Sequence, residues 1–237
     1  MTPSERLLAQ ALRRPGAPRV LTNALIARLL PDIPARTQAR AIKACAACGG
    51  LMEVRAGLWL NGWTTPPVAT EEAVPWLFPG GVVSLQRALG QLGIANNPSH
   101  LITVVVPHGP QMPSTPSGRV ETPIGVFQVH RLRMRVVLAG TTADRLLAPP
   151  SRRPVPGAVL YATGEKALVD WLALAHTSRS GLALPSVTDI DITGLDAERV
   201  RRLAQAAGLA ERVQEWWARA EEAQAQDWEE RDDRPAF

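Results

Sequence analysis

Apolar positions Leu7, Leu8, Ala11 and Leu12 recur at helical spacing behind Thr2-Pro3-Ser4-Glu5, a Thr cap with proline at the first helical position and glutamate three residues after the cap. Pro15-Gly16 ends that helix. Val20-Leu21 is long enough only for a short strand or a turn. Thr22 caps a second helix over 23–30 that stops at Pro31-Asp32, and a third opens at Pro34 and runs to Gly49-Gly50. Two strand-like runs, 51–54 and 58–60, follow through Arg55-Ala56-Gly57, where glycine supplies the backbone freedom of a tight hairpin. Three helices and then a hairpin are the order of a winged helix-turn-helix.

Residues 61–67 read as a linker, although Trp63 points to packing. Beyond a turn at 79–81, Val82-Val83 reads as a short strand and 84–93 as a helix carrying Leu85, Ala88 and Leu89. Residues 101–106 (LITVVV) are rich in β-branched side chains and predict a buried strand. The proline-dense stretch from Pro107 to Pro123 predicts a long exposed loop. Residues 126–137 then alternate as a strand, with Phe127, Val129, Arg131, Arg133 and Arg135 on one side and Gln128, His130, Leu132 and Met134 on the other. That arginine stripe reads as a second nucleic-acid contact, as a dock for an acidic partner, or as an open sheet face in water. A loop at 149–157 carries Arg152-Arg153, a short strand follows at 160–162, and Thr163-Gly164-Glu165-Lys166 opens a helix. From Asp196 onward, Val200, Leu203, Ala207, Val213, Trp216, Trp217 and Ala220 continue at helical spacing, and the paired tryptophans point to packing on their own domain. The predicted fold class is α+β: a winged helix-turn-helix over 1–65, then a larger mixed α/β domain over 66–237 with a mostly helical end.

Charge sharpens this division. The 237 residues carry a net charge of +4, which is unevenly spread. Residues 1–65 hold nine Arg/Lys against three Asp/Glu, residues 66–210 thirteen against ten, and residues 211–237 four against nine. A basic head points to a polyanion, either nucleic acid or a membrane surface. No run of about 18 apolar residues predicts a membrane span, the first residues lack the order of a signal peptide, and two cysteines are too few for a disulfide scaffold. A cytoplasmic location is expected.

The third helix decides what the head can read. At 100° per residue, Ala35, Ala39, Ile42 and Ala46 share a face suited to packing, and Arg36, Arg40 and Lys43 cluster on the neighbouring face with Thr37 at its edge. Arginine forks onto guanine edges in the major groove, while lysine and threonine hold phosphates. Arg55 at the hairpin tip would reach an adjacent backbone or the minor groove. The alternative is a set of solvated charges on a small helical domain. Cys45 and Cys48 form a C-x-x-C at the wrong end of a helix for a reactive thiolate, with no second ligand pair for zinc, so small packed side chains are expected. Glu165, Lys166 and Asp170 resemble the acid–lysine sets of nucleases, but a helix cap and a surface i, i+4 pair explain the same residues, and no matching acid follows a strand at suitable spacing. The four histidines fall in unrelated contexts. No catalytic residue, metal or cofactor is expected.

The order of motifs also resembles a known family. The basic head is followed by Val83-Ser84-Leu85-Gln86-Arg87-Ala88-Leu89 and Gly93, then the 101–106 strand. Next come Thr122-Pro123-Ile124-Gly125-Val126-Phe127 with His130, and Ala162-Thr163-Gly164-Glu165-Lys166-Ala167-Leu168-Val169-Asp170. This series resembles the AbiEi-type antitoxins of bacterial type IV toxin–antitoxin systems over about residues 5–215, with Gly164 standing where that family usually has proline. The resemblance implies a head that binds inverted repeats in its own promoter and represses the operon. It also implies a C-terminal domain that counteracts a nucleotidyltransferase-like toxin, with or without touching it, and that adds to DNA binding in a way that suits Arg131, Arg133 and Arg135. A ligand-responsive winged-helix regulator unrelated to any toxin is the alternative.

Overall fold

The structure, a computed structural model, describes residues 1–97, 99–109, 115–137, 159–177 and 181–232. It is a mixed α+β architecture with two sheets. The chain forms two compact units, the first comprising Met1–Leu77 with Glu121–Val126 and the second comprising Phe78–Val120 with the chain from Phe127 onward. The first unit therefore runs past residue 65 and takes in a distant segment.

In the first unit, α1 (Pro3–Arg13) starts as the Thr2–Glu5 spacing predicts: the Thr2 amide donates to Glu5 Oε2 at 2.7 Å and the Glu5 amide to Thr2 Oγ1. Next come β1 (Val20–Thr22), α2 (Asn23–Leu29), α3 (Ala35–Ala47), β2 (Leu51–Arg55) and β3 (Leu58–Asn61), then a short turn of helix at Thr70–Ala73 and α4 (Val74–Leu77). The short β1 pairs with β3, giving an antiparallel sheet of order β1-β3-β2. Leu8, Leu12, Leu21, Ile26, Leu30, Ala41 and Cys45 form one core. Beside it, Val54, Leu58, Leu60 and Ala73 form a second, against which Ile124 packs.

Two polar residues lock this unit. Asn61 is fully buried; its Nδ2 donates to the Leu12 carbonyl at 2.8 Å and the Pro18 carbonyl at 3.1 Å, while its Oδ1 accepts from the Trp63 amide. The end of α1, the approach to β1 and the end of β3 are thus tied by one amide, with its polar atoms satisfied. Arg19 binds Glu72 through two 2.7 Å hydrogen bonds and also donates to the carbonyls of Pro66 and Pro67. The expected linker is accordingly held down. Trp63 lies under the Arg13 guanidinium, 4.1 Å from the ring centroid, and so close to Gly50 that a Cβ there would sit 2.4 Å from the indole.

The second unit contains β4 (Val82–Val83), α5 (Leu85–Gln91), β5 (Ile102–His108), α6 (Met134–Val137) and β8 (Leu160–Tyr161), together with β6 (Gly118–Thr122) up to Val120 and β7 (Gly125–Arg133) from Phe127 onward. It continues with α7 (Gly164–Ala175), a short turn at Ile192–Gly194, α8 (Ala197–Ala207) and α9 (Ala210–Asp232). The sheet order is β6-β7-β5-β4-β8, with β5 antiparallel to β4 but parallel to β7. Val104, Val105 and Val106 are fully buried at its centre. Val82 and Val105, paired in register, face the core that α5, α7, α8 and α9 complete. Trp216 is buried in that core and donates to the Pro185 carbonyl at 2.9 Å.

Three elements depart from the pattern-based expectation. A strand, β6, forms inside the stretch expected as loop, turning into β7 at Pro123-Ile124, where Thr122 Oγ1 donates to the Gly125 carbonyl at 2.8 Å. The β7 strand stops at Arg133 because its partner stops at His108, so Arg135 falls in the helical turn α6 and off the strand. The terminal helix is two helices, broken where Gly208 takes φ +74° and caps α8 in the left-handed conformation. The loop at 149–157 lies outside the described residues.

The Arg19 guanidinium holds the Glu72 carboxyl below its ordinary range, chiefly through their hydrogen bonds. The ionised form favours the fold, so its contribution is present above about pH 5 and is lost as pH falls through the lowered value. Glu72→Gln should therefore reduce stability by about 1 kcal/mol at pH 7, a modest figure because the pair is partly solvated. The gap to wild type should close on acidification, as read from urea midpoints across pH.

Candidate nucleic-acid interface

Of the α3 side chains, Ala41 and Cys45 are buried, with Gln38 and Ile42 partly so beside them. Ala35 and Ala39, expected to pack, are exposed instead. The buried stripe is centred on Ala41 and Cys45, and counting 100° per residue from there puts Arg36, Arg40 and Lys43 on the opposite side of the helix, not beside it. All three are exposed, and none makes a side-chain hydrogen bond or ion pair with a described residue. Thr37 is half-buried at the edge of this face. Ala39 lies among the cations, so the backbone itself is open to close approach. Pro34 precedes the helix and offers no side-chain cap, and the Thr37 amide donates to the Pro34 carbonyl at 2.8 Å.

The orientation of α3 is set by a residue that periodicity passes over. Gln38 Nε2 donates to the Leu30 carbonyl at 3.0 Å and the Ile33 carbonyl at 2.8 Å, closing the turn between α2 and α3 from inside. The hairpin is tied to the start of α2 in a similar way. The Asn23 amide donates to the Gly57 carbonyl at 3.0 Å, and Trp59 Nε1 donates to Asn23 Oδ1 at 3.0 Å. Gly57 takes φ +78° at the tip, as its place in the hairpin requires. Arg55 is exposed beside that tip, but one guanidinium nitrogen donates to the Trp76 carbonyl at 3.0 Å, so its reach is partly committed within the unit.

At the other end of α3, burial pushes the Cys45 thiol up to about 11, so it stays protonated. Cys48 Sγ donates to the Cys45 carbonyl at 3.3 Å, and both cysteines are free.

On β7 the face that begins with buried Phe127 and Val129 emerges into solvent at Arg131 and Arg133. Arg131 donates to the Thr115 carbonyl and is thereby partly engaged. The Arg135 side chain lies outside the described residues. Behind this face, His130 is 6% exposed, its Nε2 has no hydrogen-bond partner among the described residues, and burial lowers its pKa, which favours the neutral ring.

Lys166 and Asp170, expected as a surface pair, form an ion pair sealed in the second unit at 1% and 0% exposure. Asp170 Oδ2 also accepts from the Ser84 hydroxyl at 2.8 Å, so the Ser-Leu-Gln-Arg-Ala-Leu and Glu-Lys-Ala-Leu-Val-Asp segments meet here. Burial pushes the Asp170 carboxyl up against the pull of Lys166 and Ser84. Because Ser84 is used this way, it does not cap α5 with its side chain; Thr103 of β5 accepts from the Arg87 amide at 3.2 Å and takes over that role. The Thr103 hydroxyl in turn donates to the Ser84 carbonyl. The next residue, Leu85, is buried with φ +55°, a left-handed backbone that costs a non-glycine residue about 1–3 kcal/mol. Glu165 faces elsewhere, accepting from the Asp196 amide and lying 4.0 Å from Arg199.

No protein-family model matches this sequence, and no curated protein matches it. Among solved structures, the chain is similar to the crystal structure of the RV2827C protein from Mycobacterium tuberculosis, with 17% identity and a TM-score of 0.55 over 92% of this chain and 82% of that one. At that identity the likeness is one of fold.

Removing one member of the buried pair leaves the other charge out of water and alone. Lys166→Ala or Asp170→Ala should each destabilise the protein by about 3–5 kcal/mol, whereas Lys166→Met combined with Asp170→Leu should cost much less. Thermal and urea unfolding of the three variants checks this. A double variant that loses as much as the two single variants together would mean that the pair is not coupled.

Proposed function

We propose that this chain is a sequence-specific DNA-binding regulator whose first unit works as a winged helix-turn-helix. The observation that carries the reading is the placement of Arg36, Arg40 and Lys43 on the side of α3 opposite its buried stripe, with no side-chain partner among the described residues. A helix built this way enters the major groove with its N-terminal half: the two arginines meet base edges, while Lys43 and Thr37 meet phosphates. The Arg55-Ala56-Gly57 tip serves as the wing beside it.

The motif resemblance extends the proposal to an antitoxin that binds inverted repeats in its own promoter, represses its operon and counteracts a nucleotidyltransferase-like toxin. The meeting of Ser84 with Lys166 and Asp170 supports this extension, because the two most recognisable segments of the resemblance form one buried junction. Arg131 and Arg133 offer a second electropositive contact. The proposed activity has no catalytic step, metal or cofactor, and its setting is the cytoplasm.

A second reading, a ligand-responsive regulator, draws on the apolar pocket between α8 and α9, about 230 Å³ and lined by Val200, Ala204, Val213 and Trp217. That volume is small beside the roughly 300–1,000 Å³ of ordinary ligand pockets, which favours the first reading.

Fluorescence anisotropy on duplexes from the region upstream of the chain's own reading frame tests the proposal. Arg36→Ala and Arg40→Ala should each weaken specific binding by about 1–3 kcal/mol, and Lys43→Ala should lower the salt slope by about one. Unchanged affinity and footprint in all three would remove α3 from the interface. Co-expression with the neighbouring reading frame tests the antitoxin extension; loss of growth when only the neighbour is expressed, reversed by this chain, is the expected result.

A further inference from the structure

An open groove of about 360 Å³ runs between α3 and the β2–β3 hairpin, lined by Ala39 and Lys43 from the helix, Asn23 from the start of α2, and Glu53 and Trp59 from the hairpin. Glu53 is exposed on β2, opposite Trp59 in the strand register and just before the irregularity at Arg55. It shares this groove with Lys43, yet it forms no ion pair or side-chain hydrogen bond with any described residue. The Asn23 amide beside it is oriented by Trp59, whose Nε1 occupies its oxygen.

A lone carboxylate that shares its groove with Lys43, next to the helix that carries Arg36 and Arg40, works against every phosphate in range, whatever the sequence. It becomes favourable only where it meets a donor. In the major groove the base-edge donors are the exocyclic amino groups of cytosine and adenine; guanine and thymine present acceptors, along with the thymine methyl. We propose that Glu53 is a specificity-determining residue that accepts a hydrogen bond from such an amino group when α3 is seated in the groove. The proposal rests on the DNA-binding reading above. On this account the cations of α3 supply affinity, and Glu53 rejects duplexes that place an acceptor before it.

The test uses the full chain. Duplexes bound by wild type are first selected from a randomised pool, and each position of the selected site is then changed singly and its affinity compared for wild type and Glu53→Ala. At one position in each half-site, wild type should prefer cytosine or adenine by about 5- to 150-fold, and which of the two is preferred identifies the amino group. Glu53→Ala should bind all four bases there within about twofold while keeping its preferences elsewhere. If Glu53→Ala tightens binding to every duplex by one common factor, or keeps the wild-type preference at every position, Glu53 is a bystander and the proposal fails. Selection that enriches no duplex for the folded wild type would instead overturn the DNA-binding reading itself. Circular dichroism melting of Glu53→Ala, expected to match wild type because the side chain is exposed, keeps a folding defect from imitating either result.

Discussion

Lys166 and Asp170 are both withdrawn from water, and an ammonium and a carboxylate in that position are tolerated only while they hold each other. The requirement spreads outward. The second oxygen of Asp170 needs a donor, and Ser84 supplies it across 86 positions of sequence. With its hydroxyl committed, Ser84 cannot cap α5, so Thr103 does, and this draws β5 against the start of that helix. Leu85 is left in a backbone conformation that non-glycine residues avoid, and the same contacts hold it there. One electrostatic constraint therefore fixes α7, α5 and the central strand of the sheet relative to one another.

The first unit divides its polar groups differently. Its internal ties are mostly neutral amides, Asn61 between strand and helix, Gln38 inside the α2–α3 turn and Asn23 at the hairpin, together with the Arg19–Glu72 clamp. Amides satisfy carbonyls without the desolvation cost of a charge. The cations of α3 are left to face outward, where they keep their solvation. Position on the helix, more than total charge, makes this surface a candidate reader.

Local signals carried the first unit well. The Thr2 capping box, the stops at Pro15-Gly16 and Gly49-Gly50 and the hairpin glycine are short-range chemistry, and the helices and strands of 1–61 lie within a residue or two of where those signals put them. The side of α3 that packs was less legible. Alanine is small enough to sit on either face, so Ala35 and Ala39 gave no true sign of burial, and Ala41 and Cys45 define the stripe instead. Long-range pairings were invisible. An i, i+4 lysine and aspartate look the same on a surface as in a core, and only the distant Ser84 hydroxyl distinguishes the two. Gly164, standing where the resembled family usually has proline, has a steric reason that no window of sequence contains: a Cβ there would lie 2.5 Å from Ile94 and 2.7 Å from Leu195.

The discontinuity of the first unit bears on how the protein is made. Ile124 packs against the Val54, Leu58, Leu60 and Ala73 core, and its carbonyl accepts from the Thr70 hydroxyl at 3.4 Å. During synthesis the ribosome completes α1 to α4 long before it reaches that isoleucine. The amino-terminal unit emerges with one wall of its smaller core still open to water, and it closes only after the chain has been extended beyond residue 126. The two units of this protein therefore alternate along the sequence. An exchange of genetic segments that carried only the amino-terminal stretch into a new host protein would leave behind the piece that finishes it.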